Sequence, residues 1–235
     1  MNRFDIIQSI INKTGAATYL EIGVNRGQVI SKLACRNKIG VDPRFRFSPR
    51  LKLKRWTGAV RFKAFQTTSD DFFAKHAPAE LGAGVDVVFV DGLHTYTQAL
   101  RDVESSLRYL SKAGVIVMHD CNPLNAAGAY PVKHAIDEVL SAAAKGEVPG
   151  WNNHWNGDIW KAVAYLRSTR SDLNVFTLDL DWGLGIVAHG KPEGMLSFSL
   201  GEIQSADYAM LEKDRQHILN LKPPRYLDAW LKNRG

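Results

Sequence analysis

The sequence predicts a doubly wound α/β fold with a mostly parallel sheet, an antiparallel strand pair at its C-terminal end and helices on both faces. Three observations support this. Short β-rich runs alternate with helical patterns along the first two thirds of the chain, the order that produces parallel sheets. Residues 173–190 form two apolar runs joined by a tight link at 181–183, which indicates an antiparallel pair. Two further runs end on ionisable residues, at the strand ends where α/β proteins bind ligands.

The elements follow from hydrophobic spacing and from stop signals. Residues 3–13 place Phe4, Ile7, Ile10 and Ile11 on one helical face, and Thr14 and Gly15 end the helix. The predicted order continues with a strand at 17–24, a helix at 25–36, strands at 38–42 and 60–65, a helix capped by Thr68 or Ser69, a strand at 85–91, a helix at 95–114 and a strand at 115–120.

From residue 130 onward the sequence no longer shows the regular alternation of strands and helices. A helix is predicted at 130–146, then a stretch rich in Trp and Asn, another helix, the two strands, and helices at 199–221 and 225–234. We expect a single domain over residues 1–235, made of an N-terminal helix (1–16), a core (17–190) and a C-terminal helical extension (191–235). The sequence shows no internal repeat.

Composition limits the class of protein. The chain has 235 residues, of which 45% are hydrophobic and 23% charged, within the ordinary globular range. The N-terminal residues show neither a signal peptide nor a membrane span, and two isolated cysteines do not make a disulfide framework. We therefore expect a cytoplasmic protein without a membrane partner.

The net charge is +6, and the basic residues are concentrated between residues 44 and 63. This stretch is interpreted either as a solvated loop with an edge strand guarded by cations, or as a patch that attracts an anionic ligand. No nucleic-acid-binding module accompanies it, so we do not expect a nucleic-acid partner. Whether the stretch has a binding role is left open.

A glycine-containing turn follows the first strand. Glu21, Gly23 and Gly27 form an E-x-G-x-x-x-G pattern, in which glycine permits a tight turn and the close approach of a ligand. A dinucleotide fingerprint would need glycine at Asn25 and at Gln28. Asp42 ends the second strand, where a carboxylate can accept hydrogen bonds from both ribose hydroxyls.

This arrangement resembles the S-adenosylmethionine site of class I methyltransferases, which have a Rossmann-like fold. The resemblance implies that Glu21, Gly23, Asn25, Gly27 and Asp42 surround S-adenosylmethionine. It also implies adenine contacts from Ser69 and Asp70 after the third strand, and it places Asp91 beside the methyl donor.

Three sequence segments together are similar to a branch of small-molecule and sugar O-methyltransferases, the methyltransferase 24-like group. These segments are "FVDGLHTYTQALRDV", "GVIVMHDCNP" and "GDIWKAV". The resemblance runs from about residue 17 to residue 190 and implies methyl transfer to a hydroxyl. His94 is then the candidate general base, with Asp91 and Asp120 as further catalytic residues. The implied metal ligands are Asp91, His119 and Asp120, although relatives carry Asp-Asp or Asp-Asn where this chain has His119-Asp120. A histidine favours a transition metal, or no metal, over magnesium.

Residues 151–163, "WNNHWNGDIWKAV", combine tryptophans with Asn, His and Asp, a composition that can hold sugars by stacking and hydrogen bonding, and residues 149–158 are a candidate substrate lid. The tryptophans could equally belong to the core, and Asp158 could be a helix cap. The acceptor is expected to be a small hydroxylated molecule, a sugar or a glycosylated metabolite. The alternatives are a nicotinamide-dependent oxidoreductase and a non-catalytic cofactor-binding protein. The acceptor's identity, the metal requirement and homo-oligomer formation are left open.

Overall fold

A computed structural model describes residues 1–134 and 136–234. Its elements are α1 (Arg3–Thr14), β1 (Thr18–Ile22), β2 (Asn37–Val41), α2 (Pro49–Trp56), β3 (Lys63–Phe65), α3 (Ser69–Lys75), α4 (Ala77–Leu81), β4 (Val85–Val90), α5 (Tyr96–Leu107), β5 (Leu110–Met118), α6 (Ile136–Ala144), α7 (Trp160–Thr169), β6 (Leu173–Leu178), β7 (Leu184–His189), α8 (Leu200–Ser205), α9 (Tyr208–Ile218), β8 (Leu221–Lys222) and α10 (Tyr226–Lys232). The chain divides into two compact units. The prediction of a single domain stays a prediction.

The first unit comprises residues 1–92, 102–117 and 231–234. Its strands lie in the order β3-β2-β1-β4-β5, and β1 is parallel to both β2 and β4. β1 and β4, in the middle of this order, are largely buried, as expected for parallel strands with apolar runs such as Val87–Val90, whereas most of the edge strand β3 is exposed. Ile22 is in register with Val41 and with Val90, so these three strands end at the same level.

The predicted helix at 25–36 is wrong. Residues 25–32 form successive turns instead, with Asn25 (φ 46°) and Gly27 (φ 71°) in the left-handed region. A left-handed residue ends the regular hydrogen-bond ladder of a helix. The ammonium of Lys38 donates to the carbonyls of Ile30 and Leu33 (both 2.9 Å), which satisfies groups that a helix would have bonded internally.

Two other boundaries also differ from the prediction. The helix predicted at 95–114 ends at Leu107, and 110–114 already belong to β5, because a turn from Ser106 to Tyr109 is followed by a bond from the Val85 N–H to the Tyr109 carbonyl. Part of the basic stretch is a helix rather than a loop. Ser48 caps α2 and Pro49 occupies its first turn, a position where proline needs no N–H partner.

The second unit comprises residues 93–101 and 118–230, with residue 135 outside the described part. Its strands lie in the order β7-β6-β8. β6 and β7 are antiparallel, with Leu178 opposite Leu184, so the predicted antiparallel pair is confirmed. Together with the parallel ladders of the first unit, this confirms the predicted mixed α/β fold.

The extension predicted at 191–235 contains three helices, and in addition the two-residue strand β8, which pairs in parallel with β6. The buried guanidinium of Arg167 anchors it by donating to the carbonyls of His217, Ile218 and Gly194. Among the described residues, no helix combines the length and the apolar character needed to cross a membrane.

Candidate active site

In the first unit, the common level of the strand ends places the predicted cofactor residues at one edge of the sheet. Gly23, Asp42 and Asp91 each follow the last residue of a strand. Gly23 N–H donates to the Val41 carbonyl (2.9 Å), and Asp91 N–H donates to the Ile22 carbonyl (2.8 Å). The backbone ladder thus fixes the three positions beside one another.

Gly23 is required by its neighbour in the fold. Its φ of +88° lies in the left-handed region, and a Cβ at this position would lie 1.9 Å from the Asp91 carbonyl oxygen. Any larger residue would therefore displace the end of β4. The sequence pattern indicated a glycine that admits a ligand, but the contact with Asp91 is sufficient to explain it.

Asp42 organises the glycine turn. Its side chain is buried, with Oδ2 accepting from the Asn25 N–H (2.7 Å) and Oδ1 from the Arg44 N–H (2.6 Å). The Arg46 N–H in turn donates to the Asn25 carbonyl (2.9 Å). Each carboxylate oxygen can accept a second hydrogen bond, so this geometry keeps acceptor capacity for a ribose hydroxyl.

Glu21 lies on β1 below this turn and is 2% exposed. The Tyr19 hydroxyl, two residues away on the same face of the strand, donates to its Oε2 (2.6 Å). Burial raises the pKa of Glu21 to about 8, and the negative charge of Asp91 adds to the rise, while the hydrogen bond from Tyr19 opposes it. At neutral pH, Glu21 is therefore mostly a neutral carboxylic acid.

Ser69 and Asp70 begin α3, but neither caps it. Thr68 is the N-cap, and its hydroxyl accepts from the Asp71 N–H (3.2 Å). Asp70 lines a cavity of about 190 Å³ together with Phe73, Ala74, Ser105, Arg108 and Tyr109. The adenine contacts of Ser69 and Asp70 stay a prediction.

The second unit gathers the other ionisable residues around the Asp120 carboxylate, which is 5% exposed. His119 Nδ1 lies 2.8 Å and His94 Nδ1 lies 3.4 Å from Asp120 Oδ2. The Asn156 amide donates to Asp120 Oδ1 (2.7 Å). The structure thus brings both predicted histidines to a single buried carboxylate.

The backbone around this carboxylate is held in unusual conformations. Asp120 has φ +60°, and in the β6–β7 link Asp181 and Trp182 have φ +47° and +65°. The Cys121 N–H donates to the Gly183 carbonyl (3.0 Å) and the Asn122 N–H to the Trp182 carbonyl (2.8 Å). These bonds hold the two strained segments together, and Asp181 Oδ1 lies 3.8 Å from His119 Nε2. Non-glycine residues at positive φ concentrate at functional sites.

Four consecutive residues, 155–158, hold the turn that carries His94. The Trp155 ring stacks on the His94 ring (5.2 Å between centroids, 22° between planes), and its carbonyl lies 3.3 Å from His94 Nδ1. A Cβ on Gly157 would lie 1.8 Å from the His94 carbonyl oxygen. Asp158 Oδ1 accepts from the Tyr96 N–H (2.6 Å) and so caps α5 rather than the following helix. Burial raises the pKa of Asp158.

The tryptophans predicted to hold a sugar have different surroundings. Trp160 is 1% exposed and belongs to the core. The Trp155 indole donates to the Tyr130 carbonyl (2.8 Å), so its polar group already has a protein partner. His154 instead packs against Trp182, with ring centroids 4.7 Å apart. The stacking function is therefore excluded for Trp160 and stays a prediction for the remaining aromatic residues.

Two predicted metal ligands, His119 and Asp120, lie together in this unit, while Asp91 belongs to the first unit. Ligand atoms that share one ion at about 2.1 Å lie roughly 3 Å apart, which the separation of His119 Nδ1 from Asp120 Oδ2 matches (2.8 Å). A mixed nitrogen and oxygen donor set favours a transition metal over magnesium.

Comparison with known proteins agrees with this geometry. Residues 20–121 match the family described as "Methyltransferase domain". The chain superposes on a proposed caffeoyl-CoA O-methyltransferase from Staphylococcus aureus with a TM-score of 0.51 and 12% identity, covering 80% of this chain and 82% of the other. A proposed O-methyltransferase from Klebsiella pneumoniae gives a TM-score of 0.51 and 12% identity, with 80% of each chain covered. At this identity the likeness establishes the fold.

One curated relative, an uncharacterised protein of Acanthamoeba polyphaga mimivirus, is 28% identical over 131 residues, which is 50% of this chain. The chain spans 58% of the length of that relative. The fold, the strand-end residues and the family match together identify residues 20–121 as a class I, S-adenosylmethionine-dependent methyltransferase domain. The predicted class is confirmed.

Several residues that the site depends on were not predicted from the sequence. Tyr19 could have been found, because residues two apart on a strand share a face. Asn156 and Asp181 could not, because they reach Asp120 and His119 from 36 and 62 positions away in the chain.

Proposed function

We propose that this protein transfers the methyl group of S-adenosylmethionine to a hydroxyl of a small molecule, and that His94 removes the hydroxyl proton. A hydroxyl is a poor nucleophile while it is protonated, so a positioned base is needed at the methyl-transfer step. The class of the domain supports the cofactor, and the surroundings of His94 support the choice of an oxygen acceptor.

The observation that carries the proposal is the orientation of the His94 ring. Two oxygens face Nδ1, one from the Asp120 carboxylate (3.4 Å) and one from the Trp155 carbonyl (3.3 Å). Because both are acceptors, the neutral ring carries its proton on Nδ1 and its basic lone pair on Nε2. The buried carboxylate also stabilises the imidazolium that forms when Nε2 takes a proton.

The chain connects this base directly to Asp91, the proposed cofactor residue that follows β4. Asp91 and His94 are three positions apart in the chain, so their Cα atoms can lie no more than about 11 Å apart. Asp91 is proposed to contact the cofactor and the acceptor, and Asp120 to orient His94.

We propose a sugar or a glycosylated metabolite as the acceptor. His154 and Trp182 support this, because a ring pair beside the strained β6–β7 link offers both an apolar face and a polar edge. We also propose a cytoplasmic location, which fits two cysteines that form no disulfide, Cys35 and Cys121.

A divalent ion is a second route to deprotonation, since a metal lowers the pKa of a bound hydroxyl. His119 and Asp120, with Asp91, are the proposed ligands. Exhaustive chelation should then abolish turnover, and Mn²⁺ or Zn²⁺ should restore it. Full turnover by metal-free enzyme would leave deprotonation to His94 alone.

The function is tested in two steps. Calorimetry should show binding of S-adenosylmethionine and no comparable binding of NAD. S-adenosylhomocysteine release is then measured against hydroxylated sugars, glycosides and phenols, with amine analogues as controls. Binding of NAD in preference to S-adenosylmethionine would contradict the proposal. Cofactor binding without turnover on any acceptor would favour the non-catalytic alternative.

A further inference from the structure

The surface of α2 has an unusual composition. Leu51 faces inward and is 7% exposed, whereas Leu53 and Trp56 are 58% and 84% exposed. In a helix, Leu53 points roughly 200° away from Leu51, and Leu53 and Trp56 are neighbours at a spacing of three. These two side chains form an apolar ridge, called the α2 ridge here, that points away from the body of the first unit.

Cations flank the ridge on both sides. Residues 43–69 contain eight Lys and Arg residues and no Asp or Glu. Lys63 pairs with Glu80, and Arg55 packs over the rings of Phe47 and Phe62. The six others are exposed side chains within this acid-free segment: Arg44, Arg46, Arg50, Lys52, Lys54 and Arg61.

We propose that α2 docks this protein on an anionic membrane surface, with the α2 ridge inserted among the lipid chains and the flanking cations on the lipid headgroups. Interfacial helices combine Trp and Leu on one face with Lys and Arg beside it. Each cation near an anionic leaflet contributes about a fivefold gain in affinity, and burial of a leucine-sized side chain adds about tenfold or more.

Charge complementarity decides between the occupants of such a surface. A second copy would bring the same cations against one another without carboxylates to offset them, so self-association through α2 is disfavoured. A nucleic acid would neutralise the cations but would leave Leu53 without an apolar partner. A membrane surface satisfies both the charges and the ridge.

Surface attachment does not require a membrane span, so it is compatible with the absence of a spanning helix among the described residues. The expectation of no membrane partner came from the lack of such a span in the sequence. A helix that lies on the membrane surface and one that spans the membrane bind in different ways.

The experiment is sedimentation of the full chain with vesicles of phosphatidylcholine containing about 30 mol% phosphatidylserine, against pure phosphatidylcholine vesicles. We expect binding to the anionic vesicles only, weakened in about 0.5 M salt. The variant Leu53→Ser with Trp56→Ser should bind about 100-fold more weakly or worse, because it removes both side chains of the ridge. Reversal of two cations, Lys52→Glu with Lys54→Glu, should weaken binding about 30-fold or more.

The matched control is Lys112→Glu with Lys145→Glu, which makes the same change in net charge at two exposed lysines elsewhere. It should bind vesicles within about threefold of the unmodified protein, and circular dichroism and S-adenosylmethionine affinity should show that all variants are folded. Three results would overturn the proposal: no binding to anionic vesicles at low salt, equal binding by the ridge variant, or tighter binding to a single-stranded oligonucleotide than to vesicles.

Discussion

The first unit contains the cofactor end, formed by Glu21, Gly23 and Asp42. The second unit contains the histidine cluster, formed by His94, His119 and Asp120. The two regions use carboxylates in different ways. In the first, Asp42 is bonded to backbone N–H groups of its own turn. In the second, Asp120 faces side chains that can exchange protons, His94 and His119. The first arrangement shapes a loop, whereas the second can move a proton.

The difference also appears in what supports each region. The cofactor end is built from neighbours in the sheet, with Gly23 against the end of β4. The histidine cluster depends on remote loops, the segment 155–158 and the link 181–183. The proposed cofactor residues can therefore be located from local sequence, whereas the positions of the proposed catalytic residues depend on long-range packing.

The first prediction tests whether the histidine cluster does chemistry. His94→Ala should reduce turnover about 10²–10⁴-fold and leave S-adenosylmethionine affinity nearly unchanged, because the proposed base is lost while the glycine turn is intact. The measurement is steady-state kinetics with calorimetry of cofactor binding.

The control is His134→Ala, a change at an exposed histidine outside the cluster, which should keep full turnover. The proposed difference between the two regions would be contradicted if His94→Ala retained the turnover of the unmodified protein and its pH dependence. It would also be contradicted if the main loss were in cofactor affinity.

The sequence was sufficient to predict the strand ends. Asp42 and Asp91 follow apolar β-branched runs, and parallel strands end at a common edge, so their approximate location required only local patterns. The N-terminal helix at 3–13 was predicted for the same reason, since its apolar spacing repeats without interruption.

The sequence was insufficient where backbone conformation departs from regular structure. The sequence of the turns at 25–32 predicted a helix, because apolar Val29, Ile30 and Leu33 have helical spacing. The left-handed conformation of Asn25 has no clear signal in the sequence. Residues 155–158 contact the turn that carries His94 from some 60 positions away in the chain. No local sequence pattern predicts such a contact.

The second prediction sharpens the dependence on remote loops. Gly157→Ala places a Cβ 1.8 Å from the His94 carbonyl oxygen, so the turn that carries His94 must move. We expect a loss of about 2–4 kcal/mol in the free energy of unfolding and a fall in turnover larger than the change in cofactor affinity. Chemical denaturation and kinetics measure the two effects.

Gly150→Ala is the matched control for this variant. Gly150 also has a left-handed φ (+76°), but a Cβ at this position would meet no atom within 4 Å beyond its chain neighbours. It should therefore show only the cost of the backbone conformation, about 1 kcal/mol. Equal losses of stability and turnover in the two variants would mean that residues 155–158 do not position His94.

The third prediction concerns the cofactor end. Asp42→Asn removes an acceptor from the Asn25 and Arg44 N–H groups and from the proposed ribose contact. S-adenosylmethionine affinity should fall about 10–100-fold, measured by calorimetry. Asp86→Asn is the control, because Asp86 also accepts from two backbone N–H groups, those of Ala17 and Thr18, at the opposite end of the strands. An equal loss in both variants would mean that the effect is only structural.

The fourth and smallest effect concerns the protonation of Glu21. Burial raises its pKa to about 8 in the folded chain, above the ordinary value of 4.5, so the folded state retains a proton that the unfolded state releases. The free energy of unfolding should therefore decrease as the pH rises between these two values. Glu21→Gln cannot lose a proton, so its stability should lack this component.

Urea denaturation of both proteins across the pH range isolates the Glu21 component, because the other groups titrate alike in the two. The difference in unfolding free energy between the unmodified protein and Glu21→Gln should change by about 1–2 kcal/mol from pH 5 to pH 7, to the disadvantage of the unmodified protein. A difference that stays constant would mean that Glu21 is ionised beneath the glycine turn. The cofactor end would then hold a second buried carboxylate besides Asp42, and neither of them would face a histidine as Asp120 does.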